Sequence, residues 1–126
     1  MHQAIAVMGI HTNIGKTLVS AVITEALEAD YWKPVQAGYE EGTDSEWVRG
    51  MLTNKTSVVH QESYKLKLPA SPHLAAHEEG MEISLDKIVD DKPVTDNTLI
   101  IEGAGGLMVP LNENDEVRPI TFNSLI

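Results

Sequence analysis

The stretch Gly9-Ile10-His11-Thr12-Asn13-Ile14-Gly15-Lys16-Thr17 decides how the rest of the chain is read. Before it lies Ala4-Ile5-Ala6-Val7-Met8, a nearly all-apolar run of the kind that forms a strand buried on both faces of a parallel sheet. After it, Leu18, Val19, Val22, Ile23, Ala26 and Leu27 recur at a spacing that predicts a helix to about Ala29, with these side chains as one continuous stripe. A glycine-bounded loop between such a strand and such a helix lets backbone amides turn inward around a phosphate. The helix N-terminus adds its partial positive charge. Lys16 then brings a full charge to the β- and γ-phosphates, and the Thr17 hydroxyl is placed to hold Mg²⁺. The usual pattern leaves four residues between the glycines; here there are five, Ile10 to Ile14, so the loop is a variant P-loop. A Gly-Lys-Thr tripeptide can arise by chance, but chance rarely places it between a buried strand and an amphipathic helix.

Outward from the loop, Tyr31 to Val35 is expected as a second strand and Gly38 to Gly42, with Glu40 and Glu41, as a polar loop. Thr43-Asp44-Ser45-Glu46 forms a capping box that opens a helix with Trp47, Met51 and Leu52 as its buried stripe. Tyr64, Leu66 and Leu68 alternate with Lys65 and Lys67, which predicts an extended surface segment. Ser71-Pro72 reads as a helix start, hydroxyl at the cap and proline at the first position, leading to about Gly80. Ser84 caps a short helix through Leu85, Ile88 and Val89, and Thr98 to Ile101 is the clearest remaining strand. Strands alternating with helices imply an α/β fold of the P-loop NTPase type, three layers around a mostly parallel sheet. Residues 1–126 read as one nucleotide-binding domain without repeat or linker.

Nine Lys and Arg against 19 Asp and Glu give a net charge of −10, which repels a nucleic-acid backbone or an anionic membrane. With no Cys there is no disulfide framework, thiolate metal site or cysteine nucleophile, and the cytoplasm is the default compartment. The start carries no basic n-region, and Ala4 to Ile10 is too short to span a bilayer. Neither nucleic acid nor membrane is expected as a partner.

A phosphate-bound Mg²⁺ calls for carboxylates, usually one at the end of a neighbouring parallel strand. Glu102, which ends the run Thr98 to Ile101, holds that position, although it could also simply begin the glycine turn Gly103-Ala104-Gly105-Gly106. Asp44 is a weaker candidate, because an acid in a first helical turn is favoured by the dipole without any metal. Lys33, beside Pro34 at the end of the second strand, falls at the sheet edge where ligands of open α/β sheets bind. There it could stabilise transferring phosphoryl oxygens or merely point to water. His73 and His77 share a helix face at a metal-compatible spacing but lack an intervening glutamate, and the acidic run Glu40, Glu41, Asp44, Glu46 reads as a solvated loop and helix start.

Several of these pieces coincide in order. The long P-loop, Lys33-Pro34-Val35-Gln36-Ala37-Gly38, Asp44, Ser71-Pro72-His73-Leu74-Ala75-Ala76, and Glu102-Gly103-Ala104-Gly105-Gly106 with Val109-Pro110-Leu111 make the chain resemble the dethiobiotin synthetases from about Ala4 to Asn114. The resemblance implies ATP- and Mg²⁺-dependent joining of CO₂ to the two amines of 7,8-diaminopelargonate, which closes the cyclic urea of dethiobiotin. It implies that Asn13, Ile14, Gly15, Lys16, Thr17 and Leu18 hold the phosphates and that Gly103, Ala104 and Gly105 belong to the nucleotide site. Thr17, Asp44 and Glu102 match the Mg²⁺ ligands, Lys33 and Lys16 the catalytic lysines, and Thr12, Ala37, Ser71 and Pro72 the diamine site. It also implies a homodimer. Ala37 stands where relatives often carry Ser or Thr, leaving only a backbone contact there, and His11 and Asn13 replace acidic residues of some members. Glu116 to Ile126 departs from the family pattern.

Three other functions remain open. A related long-P-loop amidoligase of the cobyrinate diamide synthase type fits the Ser71-Pro72-His73 segment less well. A partitioning-type switch ATPase would carry an early P-loop lysine, which Ile10 and His11 do not supply. An inactive nucleotide-binding fragment is the third, because about three parallel strands make a narrow sheet with uncovered edges. The length is accordingly expected to represent the N-terminal portion of a longer enzyme.

Overall fold

The structure, a computed structural model, describes residues 3–9 and 15–104. Nine elements follow in order: β1 (Ala4–Val7), α1 (Lys16–Leu27), β2 (Asp30–Trp32), β3 (Val35–Ala37), α2 (Asp44–Met51), β4 (Tyr64–Leu66), α3 (Pro72–Glu78), α4 (Leu85–Asp91) and β5 (Leu99–Glu102). β1, β5 and β2 form a parallel sheet in that spatial order, with Val7 opposite Glu102 and Trp32 opposite Ile101. Among the described strands β5 is therefore central, although it comes last of them in sequence. Its period-two alternation separates two faces. Leu99 and Ile101 pack with Trp32, Ala75, Ala76 and Ile88 on the α3 and α4 side, whereas Ile100 packs with Val7 and Ala29, against Ile23 of α1. Tyr31 joins Ala21 of α1 and Val48 of α2 on that second side. Helices on both faces of a parallel sheet give the expected three-layer α/β architecture, with a sheet of few strands.

The single second strand expected over Tyr31 to Val35 is two strands. Pro34 has no N–H to give to a ladder, and the chain leaves the first sheet there: β3 instead pairs in parallel with β4, Val35 opposite Tyr64. The Pro34 carbonyl accepts from the Ser63 and Tyr64 amides, which anchors the switch between sheets. The β4 segment was expected at the surface. Lys65 and Lys67 do face out, but Leu66 is fully buried in the larger core cluster.

Two helices present a different face from the expected one. α1 buries Lys16, Ser20, Ala21 and Thr24 and leaves Leu18, Val19, Val22 and Leu27 exposed. α2 buries Ser45 and Val48 and exposes Trp47 and Met51. α1 meets both α2 and the sheet, and the side chains it buries there are mostly small, with Ile23 packed against Ile100. The Thr43 and Glu46 capping box is formed as expected, and the Ser84 hydroxyl accepts the Lys87 amide to cap α4. Pro72 opens α3, but the Ser71 hydroxyl makes no cap hydrogen bond. Among the described residues no helix is long and apolar enough to cross a membrane.

Candidate active site

Parallel strands deliver the residues that follow them to one edge. Gly9 follows β1, Lys33 follows β2, and Glu102 closes β5 between them. α1 begins at the same edge: Gly15 is its N-cap at φ 82, a left-handed conformation that glycine adopts without strain, and Lys16 and Thr17 open the helix. α1, β2 and β5 thus supply adjacent side chains from widely separated parts of the sequence.

Glu102 is the junction. Its Oε2 accepts from the Thr17 hydroxyl at 3.1 Å and from Lys33 Nζ at 3.0 Å, and its Oε1 accepts from the Tyr31 hydroxyl at 3.0 Å. Lys33 Nζ also donates to Asp44 Oδ2, so its ammonium bridges two carboxylates. The Lys33 and Glu102 side chains are 7% and 1% exposed and that of Asp44 is 33%, so the Glu102 half of the bridge is the desolvated one. Burial opposes the charge on Lys33, but the Glu102 and Asp44 carboxylates outweigh it and hold the ammonium above its usual pKa. Lys16 shifts the other way. Burial and the neighbouring Lys33 charge lower it, partly offset by Glu102 and Asp44. Burial, then the charge and hydrogen bond of Glu102, push the Tyr31 phenol upward, which keeps it a donor.

Asp44 is set by its helix and by Gln36. The capping box fixes the N-terminus of α2, and Gln36 Oε1 accepts the Asp44 amide at 3.0 Å while its Nε2 donates to the Gly38 carbonyl. Gly38 sits at φ 81, and a Cβ there would lie 2.8 Å from Pro69 Cβ, so the turn after β3 passes hard against the segment leading to α3. Pro69 is also part of the lining of an open cavity of about 590 Å³.

The expected residues sort clearly. Gly15, Lys16, Thr17, Leu18, Lys33, Asp44, Glu102 and Ala104 line this cavity, and so do Ala37, Ser71 and Pro72. Gly103 instead gives its amide to the Val7 carbonyl and extends the β1–β5 pairing. Thr12, Asn13, Ile14 and Gly105 lie outside the described residues. Among the described residues no cluster of three or more His, Asp or Glu is arranged as a metal site. Tyr31 and Gln36 were not singled out from the sequence. A buried tyrosine needs a partner for its hydroxyl, and that requirement was the available signal.

The donor set suits Mg²⁺ of a nucleotide. Such an ion takes one or two carboxylates and fills its remaining positions with phosphate oxygens and water, and Thr17, Asp44 and Glu102 offer one hydroxyl and two carboxylates, the hydroxyl on Glu102 and both carboxylates on the Lys33 ammonium. This fit needs no third acidic residue.

A family model described as an AAA domain matches residues 3–121. The chain belongs to that family. The AAA domain is also 56% identical over 115 residues to the ATP-dependent dethiobiotin synthetase BioD of Cytophaga hutchinsonii, an alignment covering 90% of this chain and 54% of that protein. It is 46% identical over 120 residues to the namesake of Christiangramia forsetii, covering 95% and 57%, and 48% identical over 114 residues to that of Rhodopseudomonas palustris, covering 90% and 54%. The resemblance drawn from the motifs is borne out by these relatives. The chain spans about half the length of the relatives it matches.

Proposed function

We propose that this AAA domain carries the phosphate- and metal-holding part of an ATP-dependent dethiobiotin synthetase, a ligase of biotin biosynthesis. The observation that carries the proposal is the Lys33 ammonium, bridged between Asp44 and Glu102 beside Thr17, at the edge of a parallel sheet and on the wall of a cavity. Residues 1–126 are taken as a single nucleotide-binding domain, working in the cytoplasm with ATP, CO₂ and 7,8-diaminopelargonate as substrates and with no nucleic acid or membrane partner. Self-association as a homodimer is supported by the exposed Leu18 and Val22 of α1 and Trp47 and Met51 of α2.

Lys16, at the first turn of α1, binds the phosphates together with the helix N-terminus. Thr17, Asp44 and Glu102 would hold Mg²⁺, which when bound neutralises phosphate charge. One amine of the diamine takes up CO₂ as a carbamate. A carbamate oxygen attacks the γ-phosphorus in line, the bond to the β-phosphate oxygen breaks, and ADP leaves. The second amine then attacks the carbamoyl carbon, expels phosphate and closes the ring. Lys33 contributes by electrostatics: a permanently charged, desolvated ammonium stabilises negative charge shared between carbamate and phosphoryl oxygens. Ala37, Ser71 and Pro72, which also line the cavity, are assigned to the diamine.

The test is phosphate release from ATP with and without 7,8-diaminopelargonate and bicarbonate. Diamine-dependent release with dethiobiotin formed supports the function, and hydrolysis indifferent to the diamine refutes it.

A further inference from the structure

Tyr31 takes no part in the reaction above, yet it touches the carboxylate on which that reaction depends. Its side chain is fully buried, packed between Ala21 of α1 and Val48 of α2. Its backbone is tied on the other side, the amide to the Val58 carbonyl and the carbonyl to the His60 amide. Ring and main chain together leave the phenol little freedom. The hydroxyl ends at Glu102 Oε1, 3.0 Å away, while Oε2 receives Thr17 and Lys33. The two oxygens of Glu102 are thereby divided, one held by the interior and the other turned to the cavity side. Packing alone would be met by phenylalanine, and a buried hydroxyl is costly unless paired, so the hydroxyl is accounted for by its bond to Glu102.

We propose that Tyr31 is a positioning residue whose hydroxyl fixes the rotamer of Glu102 that presents Oε2 beside Thr17 and Lys33, and thereby sets how well the site takes a divalent cation with its nucleotide. This rests on the nucleotide and metal assignments of the proposed function. It extends them to a residue that touches neither ligand.

The experiment compares the full chain with Tyr31→Phe by calorimetry, titrating ATP in EDTA and Mg²⁺ into the ATP complex, with a melting curve for each protein. ATP affinity in EDTA should stay within about twofold, and the affinity for Mg²⁺ should fall about tenfold, the scale of one hydrogen bond to a charged group. The fall should disappear when Glu102→Gln is already present, because the hydroxyl then has no carboxylate to orient. Val48→Ala loosens the same ring but keeps the hydroxyl, and should lower the melting temperature with a much smaller loss of Mg²⁺ affinity than Tyr31→Phe. Equal losses with and without metal, an additive loss in the Glu102→Gln background, or a matching Mg²⁺ defect in Val48→Ala would each overturn the assignment. If the parent chain takes up no ATP in either condition, the nucleotide assignment falls and that of Tyr31 falls with it.

Discussion

Replacing Lys33 by methionine tests the junction most directly, because it keeps most of the apolar stem and removes the ammonium with its charge and its two hydrogen bonds. In the parent, Lys33 Nζ lies 3.0 Å from a Glu102 carboxylate that is 1% exposed and also donates to the more accessible Asp44. Removing one partner of a buried ion pair costs about 3–5 kcal/mol, because the other charge stays buried without its counterion. The Asp44 half is a third exposed and screened by water, and Thr17 and Tyr31 still donate to Glu102, which favours the lower end, about 3 kcal/mol. For a domain of this size that is a fall in melting temperature of roughly 12 °C or more. The pH dependence follows from the raised pKa of Lys33. A lysine held above its ordinary value contributes fully below the unfolded value of about 10.4 and loses that contribution only as pH rises through the higher folded value. Chemical denaturation of parent and Lys33→Met should therefore show a difference that is flat from about pH 6 to 9 and closes only in stronger alkali. A variant within about 1 kcal/mol of the parent at neutral pH, the value of an ordinary surface pair, would refute the buried bridge.

Other perturbations probe the remaining contacts. Lys16→Ala should weaken ATP binding by about tenfold or more in calorimetry, since a charge-assisted phosphate contact is lost, and unchanged affinity would remove Lys16 from the phosphate site. Asp30 is buried at the opposite end of β2, where Oδ1 accepts from Val58 and Asn97 and Oδ2 meets His60 at 2.8 Å. Burial raises its pKa, but these hydrogen bonds outweigh that and hold the carboxyl below its ordinary value. Its contribution is complete above the unfolded value of about 3.9 and is lost as pH falls through the lower folded one. Asp30→Asn should thus cost about 1–3 kcal/mol at neutral pH, with the gap narrowing in acid denaturation profiles. Gly38→Ala forces a side chain into a left-handed turn against Pro69 and should lower stability by about 1–3 kcal/mol in thermal melts.

What could be seen in the sequence, and what could not, follows the range of the forces involved. The P-loop lysine and threonine, the Thr43 capping box and the proline start of α3 are local devices, and the structure keeps them. The inner faces of α1 and α2 are not local. Periodicity shows that an apolar stripe exists, but Ser20, Ala21 and Thr24 lie inward with Ile23 packed beside them, and which face turns inward is a tertiary property. The break at Pro34 was open to local reasoning, since proline cannot serve a central ladder; where β3 went next depended on β4, some thirty residues away. Glu102 and Lys33 were recognisable as candidates from their strand ends, whereas Tyr31 was hidden by its apolar ring among residues that read as core.

Strand order explains why the site depends on the whole sheet. Thr17 and Glu102 are 85 residues apart and Lys33 and Glu102 are 69 apart, yet both pairs meet within hydrogen-bond distance because β5 enters between β1 and β2. Until β5 docks, Lys33 has only Asp44 nearby and Tyr31 has no acceptor at Glu102. Contacts of such sequence separation form only after their loop-closure entropy has been met. β5 thus brings Glu102 to all of its partners: a hydroxyl from α1, an ammonium from beyond β2 and a phenol from within β2. Each partner satisfies part of a buried carboxylate that would otherwise oppose folding. The same carboxylate that closes the sheet thus carries the oxygen facing Thr17 and Lys33, so a substitution that loosens β5 is expected to weaken nucleotide binding and stability together, whereas one confined to Tyr31 Oη separates them.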